Sequence, residues 1–355
     1  MLKTFDALPA GFLDTPASHL HRILDGPTLI HLPGRRPEPL FVSCLLHGNE
    51  DTGLAAVQGV LRGYTGQGLP RALSILVGNV AAARAGVRRL DDQPDYNRIW
   101  PGADEDGRPE HAMAREVFDA MRRRGVFATI DIHNNTGFNP LYACVNRLDA
   151  ASLHLATFFS RTVVHFTRPR GVLTTAFATL CPSVALECGR PGSPAHEARA
   201  AEFVEACLHL SAFPAHPVAP QDIDLYHTVG IVKVRETASF GFAPNGADIL
   251  FEPDLDHLNF RELPAGTRLA RVRGGGPLPV DVWDEGGANV AERFLEVREG
   301  ELRTRRPVMP AMLTLEERAI RLDCLCYFME RIGTPLADAT GPAQNHCDAG
   351  GASAR

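Results

Sequence analysis

Apolar residues follow two rhythms along the first two thirds of the chain. Short continuous runs of Val, Ile, Leu and Phe at 29–32, 40–46, 73–77, 127–132, 163–166 and 184–187 read as buried strands. Between them, 54–61, 111–123 and 194–213 carry apolar residues at helical spacing; in the last, Phe203, Cys207 and Leu210 recur along one face. This alternation over 27–213 predicts an α/β domain (1–213) with a mostly parallel sheet, its chemistry at the C-terminal strand ends. Three prolines between Pro214 and Pro220 oppose both helix and ladder pairing, which places a boundary there. Beyond it, 230–235, 248–251, 267–272 and 279–283 are strand-like runs parted by Gly and Pro, so a small all-β domain is expected over 221–313. The stretch 314–332 reads as a helix, with Thr314 as N-cap, Glu317 three residues on, and Ile320, Cys324, Tyr327 and Phe328 along one side. A C-terminal helix element is therefore assigned to 314–337 and a disordered, small and polar tail to 338–355.

Composition narrows the class. A chain of 355 residues exceeds one average domain, and 45% hydrophobic content supports buried cores. The net charge of −6, with acids and bases interspersed, gives neither a nucleic-acid surface nor a polybasic membrane anchor. The apolar runs are strand-sized, and Met1-Leu2-Lys3-Thr4-Phe5-Asp6 lacks a signal-peptide core, so a cytoplasmic protein is expected. Eight scattered cysteines, with Cys44, Cys144 and Cys181 inside apolar segments, fit a reducing compartment.

The chemistry concentrates in two segments, Leu45-Leu46-His47-Gly48-Asn49-Glu50 and Asp131-Ile132-His133-Asn134. His47, Glu50 and His133 supply two imidazoles and a carboxylate where apolar runs end. That is a catalytic zinc ligand set, three protein groups with a fourth position left for water. Glu187 closes the apolar run Ser183-Val184-Ala185-Leu186 ahead of a Cys-Gly turn, so its carboxylate is expected to emerge beside the metal as the group that protonates the leaving amine. Asp131, two residues before His133 on the same strand face, could orient an imidazole. Asn97 and Arg98 pair an amide with a planar guanidinium suited to two-point carboxylate binding. His19, His21 and His346-Cys347 read as surface residues, and Gly274-Gly275-Gly276 as a loop without phosphate-binding context.

Taken in order, His47-Gly48-Asn49-Glu50, Gly78-Asn79, Asp95-Tyr96-Asn97-Arg98, Asp131-Ile132-His133-Asn134-Asn135-Thr136 and Leu186-Glu187-Cys188-Gly189 resemble the succinylglutamate desuccinylase/aspartoacylase family, related to the zinc carboxypeptidases. The resemblance implies a mixed sheet flanked by helices, as in zinc carboxypeptidases, with a smaller C-terminal β domain. It also implies a zinc amidohydrolase of small N-acyl amino acids. It makes Glu187 the general base, Asn97 and Arg98 the clamp for the α-carboxylate, and Arg88 or Arg89 the residue that steadies the oxyanion. The arginine by which aspartoacylases grip a side-chain carboxylate would fall at Phe177, with Arg168 and Arg170 upstream, so aspartate itself is not the expected side chain. Tyr327 and Tyr226 are the tyrosines beyond Tyr142 that could stand for the family's C-terminal one.

The expected protein is thus a deacylase holding one zinc ion per chain and using a zinc-bound water activated by Glu187. Its partner would be a small N-acyl amino acid, with no nucleic acid or membrane; a homo-oligomer stays open. A carboxypeptidase for short peptides shares every motif, and a non-catalytic zinc sensor on the same fold is the alternative from another class.

Overall fold

The buried apolar runs lie side by side in one sheet. A computed structural model of the chain describes residues 1–104, 106–244, 246–274 and 276–333. Strands β1 (Lys3–Phe5), β2 (Thr28–Leu32) and β3 (Gly34–Cys44) lead into helix α1 (Thr52–Gly63), then β4 (Leu69–Val77), α2 (Val80–Ala85) and α3 (Pro109–Arg123). There follow β5 (Ala128–His133), β6 (Tyr142–Val145), α4 (Ala150–Phe159), β7 (Thr162–His165), α5 (Leu173–Phe177), β8 (Ser183–Glu187) and α6 (Pro194–His209). The remainder comprises β9 (Asp224–Val234), β10 (Phe240–Gly241), β11 (Ile249–Phe251), β12 (Arg268–Val272), β13 (Val280–Trp283) and α7 (Ala291–Phe294). It ends with β14 (Leu295–Arg298), β15 (Glu301–Thr304), β16 (Met309–Ala311), α8 (Glu317–Leu322) and β17 (Cys326–Arg331).

Among the described residues the main sheet has twelve strands, in the order β1-β2-β4-β3-β5-β8-β6-β7-β9-β17-β16, with β13 also paired to β9. At its centre, β4, β3, β5 and β8 run parallel, and every residue of β5 and β8 is buried. Such strands need cover on both faces. One face carries α1, α4 and α6 over Val42, Ile130, Ile132, Val184 and Leu186. The other carries α3, through Met113, Ala114, Val117 and Met121, with Phe41, Trp100 and Phe177. Helix α1 lies so close to the sheet that a Cβ on Gly53 would come 2.9 Å from those of Cys44 and Ile132, and glycine is what permits the approach.

The sheet is mixed as the resemblance implied, with β2 against β4 and β8 against β6 antiparallel, but other elements depart from the sequence reading. The C-terminal strands divide between two sheets. β9, β13, β16 and β17 extend the main one, while β10-β11-β12-β15-β14 form a second of five strands. The helix expected over 314–332 is only α8, followed after Asp323 by strand β17. Cys326, Phe328 and Met329 are buried against β9 and β16, and that ladder outweighs the helical spacing of the apolar positions. Helix α6 stops at His209 rather than 213, and β1, β6, α2, α4 and α5 were not anticipated. The tail from 338, with His346 and Cys347, and Gly275 lie outside the described residues. The seven described cysteines are free, and among the described residues no helix is long and apolar enough to cross a membrane.

Phe177 is wholly buried, stacked at 4.8 Å on Phe41 and edge-on to Trp100 and Phe118 at 5.9 and 5.4 Å. Phe177→Ala should cost about 3–5 kcal/mol in a denaturant titration; a loss well under 1 kcal/mol would mean that the cluster does not carry this side of the sheet.

Candidate active site

β3 ends at Cys44, and the chain turns at Leu45, whose φ of 56° lies in the left-handed region. The loop that follows, His47 to Glu50, presses onto α2. A Cβ on Gly48 would stand 2.2 Å from the Ala82 carbonyl carbon, so no other residue fits without displacing the backbone. The sheet supplies the facing groups. His133 on β5 is in register with Glu187 on β8, and Glu187 with Tyr142 on β6. Registered partners share a face, so imidazole, carboxylate and phenol stand abreast. One step back along the same face are Asp131, Ala185 and Cys144.

Glu50 joins the two sources. Its Oε1 lies 2.7 Å from His47 Nδ1 and its Oε2 lies 2.8 Å from His133 Nδ1. Each imidazole meets a second carboxylate through its other nitrogen, His47 Nε2 at 3.0 Å from Asp95 Oδ1 and His133 Nε2 at 2.8 Å from Asp131 Oδ2. The ligand atoms of His47, Glu50 and His133 all fall within 4.8 Å of one another, and all three residues are buried. The donor set fits a dication. Both Nδ1 atoms turn toward one carboxylate, and the outer carboxylates fix each ring as second-sphere partners do. Burial opposes charge on these imidazoles, yet Glu50 with Asp95 for His47, and Asp131 with Glu50 for His133, hold both above the usual histidine range. Burial works against Glu50 too, but the imidazoles keep its carboxyl well below the usual range. A positive charge is thus what this carboxylate cluster requires.

Around the cluster is a cavity of about 110 Å³, to which Arg88, Asn97, Arg98, Arg168 and Glu187 contribute, along with Met312, Asp323 and Tyr327 from the C-terminal segment. Arg88 gives Nε and Nη2 to Asp95 Oδ2 at 3.1 and 2.9 Å, and its Nη1 lies 3.9 Å from Glu50 Oε1. Arg89, the alternative to Arg88, is placed otherwise. Successive side chains of this turn diverge, and Arg89 donates to the carbonyls of Leu90 and Gln93 away from the cavity. Asn97 places Nδ2 3.2 Å from His133 Nε2, while its Oδ1 accepts the Leu173 amide and so anchors α5. Arg98 donates Nη1 to the Asn97 carbonyl and Nη2 to Asp323. Glu187 accepts a bond from Asn135 Nδ2 at 3.3 Å, and burial, with Glu50's charge adding to it, raises its carboxyl to about 7.

Phe177 does not face the cavity, which corrects the reading of it as a substrate contact. Counting back from Glu187 lands inside α5, in the aromatic cluster with Phe41 and Trp100 under α3, whereas Arg168 reaches the cavity, its Nε donating to the Glu285 carbonyl. Tyr327 reaches it as well; Tyr226 instead pairs with Arg331. Sequence reasoning gave no role to Asp95, Asn135 or Asp323. The first two lie within the quoted motifs, two residues before Asn97 and two after His133. No motif marks Asp323.

Residues 38–210 match the succinylglutamate desuccinylase/aspartoacylase catalytic domain. Comparison with curated proteins found no match. Among solved structures, the succinylglutamate desuccinylase of Chromobacterium violaceum is similar at 17% identity and a TM-score of 0.53, over 85% of this chain and 87% of that one. Murine aminoacylase 3 is similar at 16% identity and a TM-score of 0.55, over 85% and 98%. The ectoine utilization protein of Ruegeria pomeroyi gives 17%, 0.52, and 86% and 88%. At these identities the likeness is one of fold, and it extends well beyond the matched domain.

The position of Glu187 has a consequence for stability. In the unfolded chain a glutamate titrates near about 4.3, and in the fold this one is raised to about 7. Between those values the folded protein keeps a proton that the unfolded chain has lost, so the contribution is intact below the lower value and lost as pH rises through the upper one. In chelator-treated protein, the melting temperature of wild type relative to Glu187→Gln should therefore fall between pH 5 and 8. A difference that stays flat across this range would place Glu187 in a solvated, unperturbed setting.

Proposed function

We propose that the protein is a zinc-dependent amidohydrolase that removes the acyl group from a small N-acyl amino acid. The observation that carries the reading is the single carboxylate of Glu50 shared between two Nδ1 atoms, with Glu187 on the adjoining strand of the same face. Two histidines and a glutamate with an open side are a hydrolytic zinc set, and His47, Glu50 and His133 would hold the ion. Zinc, when bound, supplies a Lewis acid for the scissile carbonyl and lowers the pKa of water.

The remaining steps belong to the chain. Glu187, poised near neutrality, accepts a proton from the attacking water as the new C–O bond forms, and returns it to the amine as the C–N bond breaks. Asn135 keeps that carboxylate turned toward the cavity. Arg88, with Nε and Nη2 committed to Asp95, directs Nη1 toward the metal ligands, where it would meet the oxyanion. Arg98 is the group suited to the substrate's carboxylate. Arg168, lining the same cavity, is the candidate contact for the amino-acid side chain, a place vacated by Phe177. The names of the similar structures, a desuccinylase and an aminoacylase, support acyl removal from nitrogen. Met312, Asp323 and Tyr327 roof the cavity and favour a small substrate over a peptide.

Two variants test the reading. The purified protein should carry about one zinc per chain, and His133→Ala should lose it; undiminished stoichiometry at low free zinc would remove His133 from the ligand set. Glu187→Gln should keep the zinc while turnover of an N-acyl amino acid falls by roughly a hundredfold or more. Turnover within a few-fold of wild type would assign the proton transfers to another group.

A further inference from the structure

The two arginines of the proposed site already hold a carboxylate, and it is the protein's own. Asp323 sits between α8 and β17, with Oδ1 3.1 Å from Arg98 Nη2 and Oδ2 3.3 Å from Arg88 Nη2. One carboxylate thus spans both guanidiniums, which is how an external carboxylate would be expected to lie. Its side chain keeps about a quarter of its surface open (23%), so it is reachable rather than sealed in the core. The local charge closes without a ligand. Arg88 is matched by Asp95, Arg98 by Asp323, and no further anion is called for.

The backbone at Asp323 adds to this. The residue closes a short helix and has φ −131° and ψ −84°, outside the regular helix and strand regions. Asp323 also lines a second cavity of about 160 Å³, which shares Glu50, Arg88, Asn134 and Met312 with the first. The carboxylate therefore stands in the partition between two spaces that both reach the metal ligands.

We propose that Asp323 determines substrate selectivity by competing with the substrate's carboxylate for Arg98 and Arg88. An N-acyl amino acid binds fully only in the fraction of molecules in which the Asp323 contact is released, whereas the corresponding carboxamide has no such competitor. The inference rests on the deacylase reading for its substrate but not for its test. Affinity through such a contact is reduced by the fraction of molecules in the competent state, so Asp323→Asn, which keeps the shape and removes the charge, should tighten binding of the carboxylate and leave the carboxamide nearly unchanged.

The experiment compares N-acetylglycine and N-acetylglycinamide on zinc-loaded wild type and Asp323→Asn, by calorimetry and, where turnover is seen, by kcat/KM. The expected result is a rise of about tenfold in the ratio of carboxylate to carboxamide affinity, appearing in KM rather than kcat. In an Arg98→Lys background the Asp323→Asn gain should largely vanish, since the bidentate guanidinium being contested is gone. A ratio unchanged by Asp323→Asn, with both ligands weakened together, would reduce Asp323 to a structural ion pair and overturn the proposal. Should Asp323→Asn not fold, Asp323→Ser carries the same comparison. Absence of turnover for any N-acyl compound would sink the deacylase reading, while the calorimetric ratio would still decide the role of Asp323.

Discussion

Glu50 cannot be buried as an anion without compensation, and much of the site follows from how that is met. A carboxylate taken from water needs charge and hydrogen bonds around it. His47 reaches it from three residues earlier in the same loop and His133 from the end of β5, while Asn134 adds a backbone amide at 3.2 Å. Both imidazoles are therefore pulled toward positive charge, and each is in turn balanced from behind by Asp95 or Asp131. Asp95 then needs Arg88, whose Nε and Nη2 both serve it. The result is a chain of alternating charge, running outward from Glu50 through imidazole and carboxylate to guanidinium. A dication at the two Nδ1 atoms would replace protons without disturbing the outer contacts.

The sheet makes this chain possible by register alone. In the parallel pairing of β3 with β5 and β5 with β8, Ser43 faces Asp131 and His133 faces Glu187. A shift of one residue would send His133 and Glu187 to the apolar face occupied by Ile132 and Leu186. The alternation of Ile130, Ile132, Val184 and Leu186 into the core under α1 and α6 holds the functional side chains on the opposite face. The same hydrophobic burial that stabilises the sheet therefore aims the chemistry.

How much of this could be read from the chain depends on whether the signal is local. The α/β alternation, the strands around 40–46, 127–132 and 184–187, and the grouping of His47, Glu50 and His133 come from runs and motifs that carry their own periodicity. Asp131 was legible because a strand's period of two places it beside His133. Elements missed were short or lacked pattern, such as β6, four residues long, or α4, whose mean apolarity hides its face although Asp149 caps it. The helix expected from Thr314 failed because Cys326, Phe328 and Met329 satisfy a partner strand a hundred residues away in sequence, which no window on the chain reveals. Phe177 misled for a related reason. Spacing back from Glu187 presumes a loop of fixed length, and α5 turns that position into the core while the chain just before it, at Arg168, remains at the cavity.

The matched domain ends before the roof of its own site begins. Residues 38–210 supply His47, Glu50 and His133, Glu187, and Arg88 and Arg98. Met312, Asp323 and Tyr327 arrive from the far end of the chain, held in place because β17 pairs with β9 and β9 with β7 at the edge of the main sheet. The Glu50 cluster and the far wall of its cavity are thereby supplied by different stretches of sequence joined through one continuous ladder. Asp323 is tied to the Glu50 cluster through Arg88 and, by way of Arg98, through Asn97, so it borders the cluster without contributing to it. A fold of this kind can keep the Glu50 cluster fixed while the segment around Asp323 varies the lining of the cavity beside it.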